Sequence, residues 1–133
     1  MPEKQTLERA RKAKREGKAP STQAGEFVRE EIEHIREGKH GARSTKQAIA
    51  IGLSKARRAG VKLKPPRRGQ ASARTRKSAE RDYRAGRRET QRKPSAKRSR
   101  AMLRRLKREP RHVASKRALS KQARSAARRR KTA

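Results

Sequence analysis

The chain has 133 residues, of which 44 are Lys or Arg and 12 are Asp or Glu, so its formal net charge is +32 at pH 7. Such a chain repels itself when compact and attracts any dense polyanion. Leu, Ile, Val and Phe together supply only 14 residues, and low apolar content with high net charge favours disorder over a large buried core. The absence of cysteine excludes disulfides, a thiol nucleophile and a cysteine-based zinc site.

Composition also bears on the compartment and on the polyanion. The N-terminus lacks the apolar segment of a secretory signal, and the longest apolar run, residues 48–51, is far shorter than the ~20 residues of a membrane span. Binding at a membrane surface favours aromatic-rich amphipathic faces, and the chain has one Phe, one Tyr and no Trp. We therefore expect nucleic acid rather than a membrane as the partner, and a cytoplasmic location at the nucleoid.

Charge divides the chain into three zones. Residues 1–20 and 21–63 each carry a net charge of +4, whereas residues 64–133 hold 28 basic and four acidic residues, a net +24. We interpret these zones as a basic N-terminal arm, a small helical module and a nucleic-acid-binding tail. The predicted fold class is all-α, a helical hairpin with basic, largely disordered or nascent-helical flanks.

The first two zones contain three predicted helices. A basic helix is expected from Thr6 to Glu16. Leu7 is its one large apolar residue, so we expect the helix either to dock weakly or to stay frayed. Ser21 or Thr22 is expected to cap a second helix that ends at Gly38. An apolar stripe runs along this helix, with glutamates on the opposite face. The stripe contains Ala24, Phe27, Val28, Ile32 and Ile35, and the acidic face contains Glu26, Glu30, Glu33 and Glu37.

The third helix is predicted from a capping box, with Ser44 as the N-cap and Gln47 three residues later. It is expected to end near Ala59, with Gly60 as the left-handed stop and Val61 making the hydrophobic contact that often follows. Ile49, Leu53 and Ala56 line one side of it, with the small Ala48, Gly52 and Ala59 beside them. Ile51 points away from that side and is a candidate contact for a weak homodimer.

The second and third helices are expected to form an antiparallel αα-hairpin in which Phe27 and Ile32 meet Ile49 and Leu53. The alternative is a helix-turn-helix that reads DNA sequence through the third helix. Two features oppose this alternative: the six-residue connection is longer than usual, and DNA would repel the glutamate face of the preceding helix.

The tail is rich in Arg, Lys, Ala and Ser and is interrupted at Pro65, Pro66, Pro94 and Pro110. Helix-forming residues between these breaks predict helices over 78–91, 95–109 and 114–130, the second with a thin apolar patch of Met102, Leu103 and Leu106. None has a stripe wide enough to form a core, so we expect coil or nascent helix until a polyanion screens the repulsion.

Clusters of cations are the candidate phosphate contacts, because the ratio of 28 basic to four acidic residues in the tail departs from the mixed charge of ordinary surfaces. The predicted nucleic-acid-binding residues are Lys46, Lys55, Arg57, Arg58, Lys62, Lys64, Arg67, Arg68, Arg104, Arg105, Lys107, Arg108, Arg128, Arg129, Arg130 and Lys131. The 24 net charges of the tail equal those on about 40 Å of duplex. Residues 66–69 partly match a minor-groove Pro-Arg-Gly motif, although a basic linker explains them more simply.

Other site chemistry is not indicated by the sequence. His34, His40 and His112 lack the spacing of metal ligands and have no cysteine partner. Nucleophile elbows, phosphate-cradling glycine loops and paired buried carboxylates are absent. We therefore predict no catalytic residue, no cofactor and no metal site.

Residues 46–56, Lys-Gln-Ala-Ile-Ala-Ile-Gly-Leu-Ser-Lys-Ala, resemble a box found in short, basic, uncharacterised bacterial proteins. That group carries Ala at the position of Gly52 and Glu at the position of Lys55, and its members are loosely labelled DNA-binding or plasmid-stabilisation proteins. The tail is similar in composition to bacterial histone-H1-like proteins.

The sequence thus predicts non-enzymatic, largely sequence-independent binding of double-stranded DNA, with compaction or bridging of duplexes. Two alternatives stay open. One is an RNA- or ribosome-associated protein, because ribosomal RNA also attracts Arg-rich tails. The other is an adaptor that docks a protein partner through the acidic helix at 22–37.

Overall fold

The computed structural model describes residues 3–88 and 95–132, and the regular structure of these residues is helical, which confirms the predicted all-α class. The helices are α1 (Lys4–Arg15), α2 (Pro20–Arg36), α3 (Thr45–Arg58), α4 (Ala73–Gly86), α5 (Ala96–Arg108) and α6 (Lys116–Thr132), with a 3₁₀ turn at His112–Ala114. The predicted tail helices at 95–109 and 114–130 correspond closely to α5 and α6. The helix predicted at 78–91 begins earlier, at Ala73, and the end predicted for it, like the break at Pro94, lies outside the described residues.

The first three helices end in the same way. Each is followed by a glycine in the left-handed region, where a side chain would be strained. These glycines are Gly17 (φ 75°), Gly38 (φ 81°) and Gly60 (φ 101°). The amide after each glycine bonds to a carbonyl five residues back, as in Val61 N to Ala56 O at 3.0 Å, which is the Schellman motif. The predicted stops at Gly38 and Gly60 are confirmed, as is the hydrophobic contact of Val61, which belongs to the same buried cluster as Ala56.

The N-termini of α2 and α3 differ in how well the sequence predicted them. At α3, Ser44 Oγ accepts a hydrogen bond from Gln47 N at 3.1 Å, and Gln47 Oε1 accepts one from Arg43 N at 2.5 Å. This confirms the capping box, with the glutamine reaching one residue further back than expected. The predicted start of α2 after a cap at Ser21 or Thr22 was wrong, because the helix begins at Pro20. The fixed φ of proline and its missing N–H suit the first helical position.

The described residues form two compact units, which do not follow the charge zones. Unit 1 lies within Met1–Glu30 and Ile51–Lys93, and unit 2 lies within Glu31–Ala50 and Pro94–Ala133. The boundaries therefore fall inside α2 and α3. Each unit combines part of the predicted hairpin with part of the predicted tail.

The core of unit 1 is small and draws on three helices. Its buried cluster contains Ala10, Ala24, Phe27, Ala56 and Val61, and Leu7, Leu53 and Leu63 pack against it. Phe27 and Leu53 share this core as the sequence predicted. Burial of Ala10 shows that α1 docks through its small residues as well as through Leu7.

The packed side of α3 is centred on small residues rather than on Ile49 and Leu53, which is a correction to the predicted stripe. Ala48 and Ala56 have no exposed surface, and Gly52 is buried, whereas Ile49 and Leu53 are only half-buried. The reason is close backbone packing within unit 1, where a Cβ on Gly52 would lie 2.6 Å from Val28 Cα.

Unit 2 shows that the tail takes part in a folded core, contrary to the expectation that it adds none. Its fully or largely buried apolar residues are Ile32, Ile35, Ala42, Ala48, Leu106, Val113 and Ala114. Hydrogen bonds to backbone carbonyls reinforce the packing: the Arg111 side chain donates from Nε to Ile35 O at 3.3 Å and from a terminal nitrogen to Arg36 O at 2.9 Å, and Gly41 N donates to Leu106 O at 2.7 Å. These bonds add donors to carbonyls near the C-terminal ends of α2 and α5, where a helix runs out of intrahelical partners; Ile35 O also accepts from Gly38 N, and Leu106 O from Glu109 N.

Candidate nucleic-acid interface

Most of the predicted phosphate-binding side chains are exposed. In unit 1 the exposed ones are Arg58 at the end of α3 and Lys62, Lys64, Arg67 and Arg68 in the segment that follows it. In unit 2 they are Lys46 in the first turn of α3, Arg104, Arg105, Lys107 and Arg108 on α5, and Arg128, Arg129, Arg130 and Lys131 at the end of α6. Each unit therefore presents its own set of cations to solvent.

Arg57 differs from these residues because it is buried, and its accessibility does not support the predicted phosphate contact. Only 8% of the residue is exposed. Its Nε donates to Leu63 O at 3.1 Å and its terminal nitrogen donates to Lys64 O at 3.3 Å, so the guanidinium holds the chain after α3 in place. Burial lowers the pKa of Arg57 from its ordinary value, and the carboxylate of Asp82 acts in the opposite direction.

Two other cations of α3 are less available than the sequence suggested. Arg58 is exposed, but its Nε lies 2.6 Å from Asp82 Oδ1 on α4, and Ser54 Oγ donates to Asp82 Oδ2 at 2.7 Å. Lys55 is half-buried. A major-groove recognition helix needs several free polar side chains on one face, and the helix-turn-helix alternative therefore finds little support on α3.

The segment with the partial minor-groove motif forms a tight turn. Gln70 N donates to Arg67 O at 3.0 Å, and Gln70 Oε1 accepts from Arg67 N at 2.9 Å. Gly69 has a φ of 91°, as the third position of a type II turn requires. Arg67 and Arg68 are displayed on this turn, which favours the basic-linker interpretation over an extended minor-groove insert.

On α5, three predicted cations share one surface depression. Arg104, Arg105 and Arg108 line a shallow groove of about 300 Å³ together with Ala101 and Glu109. Arg104 and Arg108, four positions apart, lie on one face of the helix, and arginine side chains bind phosphate groups through charge-assisted hydrogen bonds. Of the apolar patch predicted here, Leu106 is buried, whereas Met102 and Leu103 are 54% and 43% exposed.

A second depression in unit 2 joins a predicted cation to two residues that the sequence did not single out for this role. Lys46, Lys121 and His112 border a cavity of about 370 Å³ between the start of α3 and α6. Lys121 was missed because nothing in the sequence relates it to Lys46, 75 positions earlier.

Several acidic side chains point inward, which makes the outside of each unit more cationic than its composition suggests. Glu30, Glu31 and Asp82 are 3%, 0% and 8% exposed. Glu30 was placed on a solvent-facing acidic side of α2, and this is corrected: its Oε1 accepts from Glu3 N at 2.5 Å and from Thr6 Oγ1 at 3.2 Å. The carboxylate thereby satisfies the positive N-terminal end of α1.

The second buried glutamate belongs to a cluster that sequence spacing did not reveal. Glu31, His34 and His40 place one potential ligand atom each within 4.8 Å of one another. The sequence places Glu31 and His34 three positions apart, on one face of α2, which could have pointed to a shared site. Only the fold brings His40 close to them.

Comparison with known proteins adds one similarity. A family of unknown function (DUF6496) matches residues 4–68, a span that contains α1, α2, α3 and the Lys-Gln-Ala-Ile box and ends before α4. Comparison with curated proteins and with solved structures gives no match. Among the described residues, none of the helices has the length and apolar character needed to cross a bilayer.

Proposed function

We propose that this chain is a non-enzymatic protein that binds double-stranded DNA through its phosphates, with little sequence preference, and compacts or bridges duplexes in the bacterial nucleoid. The observation that carries the proposal is the sorting of charge by the fold. Cations of α5, α6 and the 62–68 segment face solvent, whereas Glu30, Glu31 and Asp82 are buried. A surface on which cations far outnumber carboxylates attracts DNA by releasing its condensed counterions.

Bridging follows from the distribution of cations over two units. Unit 1 exposes Lys62, Lys64, Arg67 and Arg68, and unit 2 exposes the arginines of α5 and the end of α6. Because both sets are accessible, each unit offers its own cations for contact with a duplex, as bridging requires. Low sequence preference follows from the chemistry of the contacts, since phosphate contacts carry no direct sequence information.

The few aromatic side chains support duplex rather than single-stranded targets. Phe27 is 1% exposed, and the ring of Tyr83 is covered by Arg87, whose guanidinium carbon lies 4.9 Å from the ring centroid. Sequence-independent binding of single strands relies on aromatic side chains on which bases stack. Neither aromatic is placed to serve as such a platform.

The adaptor alternative depends on the acidic residues of α2. Glu30 and Glu31 are used inside the chain, so a protein partner would have to recognise Glu26, Glu33 and Glu37 alone. The charge pattern therefore favours nucleic acid over an acid-recognising protein.

The test measures by fluorescence anisotropy how tightly the full chain, freed of nucleic acid, binds three labelled probes. The probes are a 30-base-pair DNA duplex, a 30-base-pair RNA duplex and a 30-nucleotide DNA single strand. We expect duplex DNA to bind at least as tightly as the others, with less than about tenfold change when its sequence is scrambled. Bridging is read by capture of a labelled duplex on beads that carry an unlabelled one. Preference for RNA, or recovery of a partner from lysate that is insensitive to both DNase and RNase, would contradict the proposal.

A further inference from the structure

A buried cluster in unit 2 joins α2 to the loop that follows it. Glu31 has no exposed surface and His40 is 8% exposed, while His34 is half-buried. The potential ligand atoms of the three side chains all lie within 4.8 Å of one another. One carboxylate and two imidazoles are the donor set of many zinc sites that lack cysteine.

Hydrogen bonding defines which nitrogen of His40 is available. His40 Nδ1 lies 2.9 Å from Gly41 O, and since a carbonyl oxygen only accepts, Nδ1 carries the proton. In the neutral ring Nε2 therefore presents its lone pair, and it faces Glu31 Oε2 at 3.3 Å. A histidine whose second nitrogen donates to a backbone carbonyl is the usual orientation of a metal ligand.

The 3.3 Å separation between His40 Nε2 and Glu31 Oε2 matches the distance between two ligands of a tetrahedral zinc ion. Two ligands about 2.0–2.1 Å from a tetrahedral zinc ion lie about 3.3–3.4 Å from each other. The rings of His34 and His40 have centroids 6.1 Å apart and an interplanar angle of 82°, and a ring nitrogen of His34 lies within 4.8 Å of the ligand atoms of both other residues.

We propose that Glu31, His34 and His40 form a binding site for a divalent first-row transition metal, Zn²⁺ in the first place, with a water molecule as the fourth ligand. The competing explanation is a buried ion pair between protonated His40 and Glu31, which satisfies both side chains without a metal. The two explanations differ in one respect that is directly measurable, because only the first gives stoichiometric metal affinity that depends on His34.

Metal binding here would stabilise the packing of the loop after α2 against the tail residues within unit 2. His40 is followed by Gly41 and Ala42, whose amides donate to Leu106 O at 2.7 Å and to Pro110 O at 2.9 Å. The fit is tight, since a Cβ on Gly41 would lie 1.9 Å from Glu109 O. Fixing His40 through a metal would therefore hold the loop against the end of α5, independently of any nucleic acid.

The experiment uses the untagged full chain, freed of nucleic acid and metal, in titrations with Zn²⁺ and with Co²⁺. We expect one ion per chain, visible d–d bands typical of four-coordinate Co²⁺, and a melting temperature that rises with zinc concentration. His34→Gln should weaken binding by more than about tenfold, since loss of a ligand costs at least as much as loss of its outer partner. His112→Gln is the matched control, because His112 is exposed and outside the cluster.

Two outcomes would overturn the proposal. One is wild-type affinity no higher than that of His34→Gln, and the other is an equal loss in His34→Gln and His112→Gln. A second measurement requires no variant: in NMR spectra of the Co²⁺-loaded wild type, the imidazole protons of His34 and His40 should be paramagnetically shifted and those of His112 should not. Shifts confined to His112 would assign the ion elsewhere and would equally refute the site.

Discussion

Gly52 of α3 lies against the backbone of Val28 on α2, so closely that a Cβ on Gly52 would be 2.6 Å from Val28 Cα. Both residues belong to unit 1. Backbone atoms cannot move aside as a flexible side chain can, so the two helix segments can approach this closely only because position 52 lacks a side chain.

This contact predicts that Gly52→Ala destabilises the protein, although Ala is the better helix former by about 1 kcal/mol. Overpacking a tight contact costs about 1–3 kcal/mol, and we expect the net effect on the free energy of unfolding to be unfavourable. Urea denaturation followed by circular dichroism measures it.

Gly25→Ala is the matched control for that substitution. Gly25 lies within α2, is exposed, and a Cβ there would have no atom within 4 Å. The same change should therefore stabilise the protein by up to about 1 kcal/mol through helix propensity alone. If both alanine variants shifted the urea midpoint in the same direction, the close approach at Gly52 would be refuted.

Asp82 is expected to hold α4 against the C-terminal part of α3 within unit 1. It is 8% exposed and accepts from Ser54 Oγ at 2.7 Å and from Arg58 Nε at 2.6 Å. Asp82→Asn should lower the free energy of unfolding by about 1–3 kcal/mol, because a buried charged acceptor is lost. Glu80→Gln, on the exposed side of the same helix, removes the same charge and should be near neutral. Equal effects would mean that net charge, not the contact, sets stability.

Salt dependence tests the electrostatic origin of DNA binding. With six to ten phosphate contacts, log K should fall with log salt at a slope of about −5 to −9. Anisotropy titrations of one duplex between 50 and 300 mM salt measure the slope. A slope near −1 would indicate that phosphate contacts are not the main source of affinity.

The groove on α5 predicts where part of that slope comes from. Changing Arg104, Arg105 and Arg108 together to Gln should make the slope less steep by about 2–3, since each contact contributes about 0.9. The control changes three exposed cations of α1, Arg11, Lys14 and Arg15, which lie outside the predicted interface. If the salt slope became less steep by the same amount in the α1 variant as in the α5 variant, total charge rather than the α5 groove would determine DNA affinity.

Local sequence patterns predicted the helices and their ends well. The capping box at Ser44 and the stops at Gly38 and Gly60 were correct because capping depends on residues within one turn of the helix end. The predicted start of α2 was too late because Ser21 and Thr22 are typical N-cap residues, whereas Pro20 before them is itself favoured at the first helical position.

The candidate sites depended on longer-range contacts, and prediction was accordingly less accurate there. Arg57 looked like its neighbour Arg58 in sequence, and only packing against residues 63 and 64 buries it. Two further features depend on contacts between segments that are distant in sequence. His40 lies close to Glu31, and Lys46 and Lys121 line the same cavity, but no local sequence pattern relates the residues of either pair.

By itself, the sequence determined the sign and size of the charge, the all-α class and the positions of most helices, because each of these depends on composition or on neighbours a few residues apart. Only the tertiary structure decided that Glu30, Glu31 and Asp82 face inward, that the tail helps to build a core, and that α2 and α3 are each shared between two units. A helix with a narrow apolar stripe can pack against several segments, so the stripe alone does not determine which segment it contacts. With so few large apolar residues, small-residue contacts such as Gly52 against Val28 and buried hydrogen bonds to carboxylates and carbonyls determine which segments pack together.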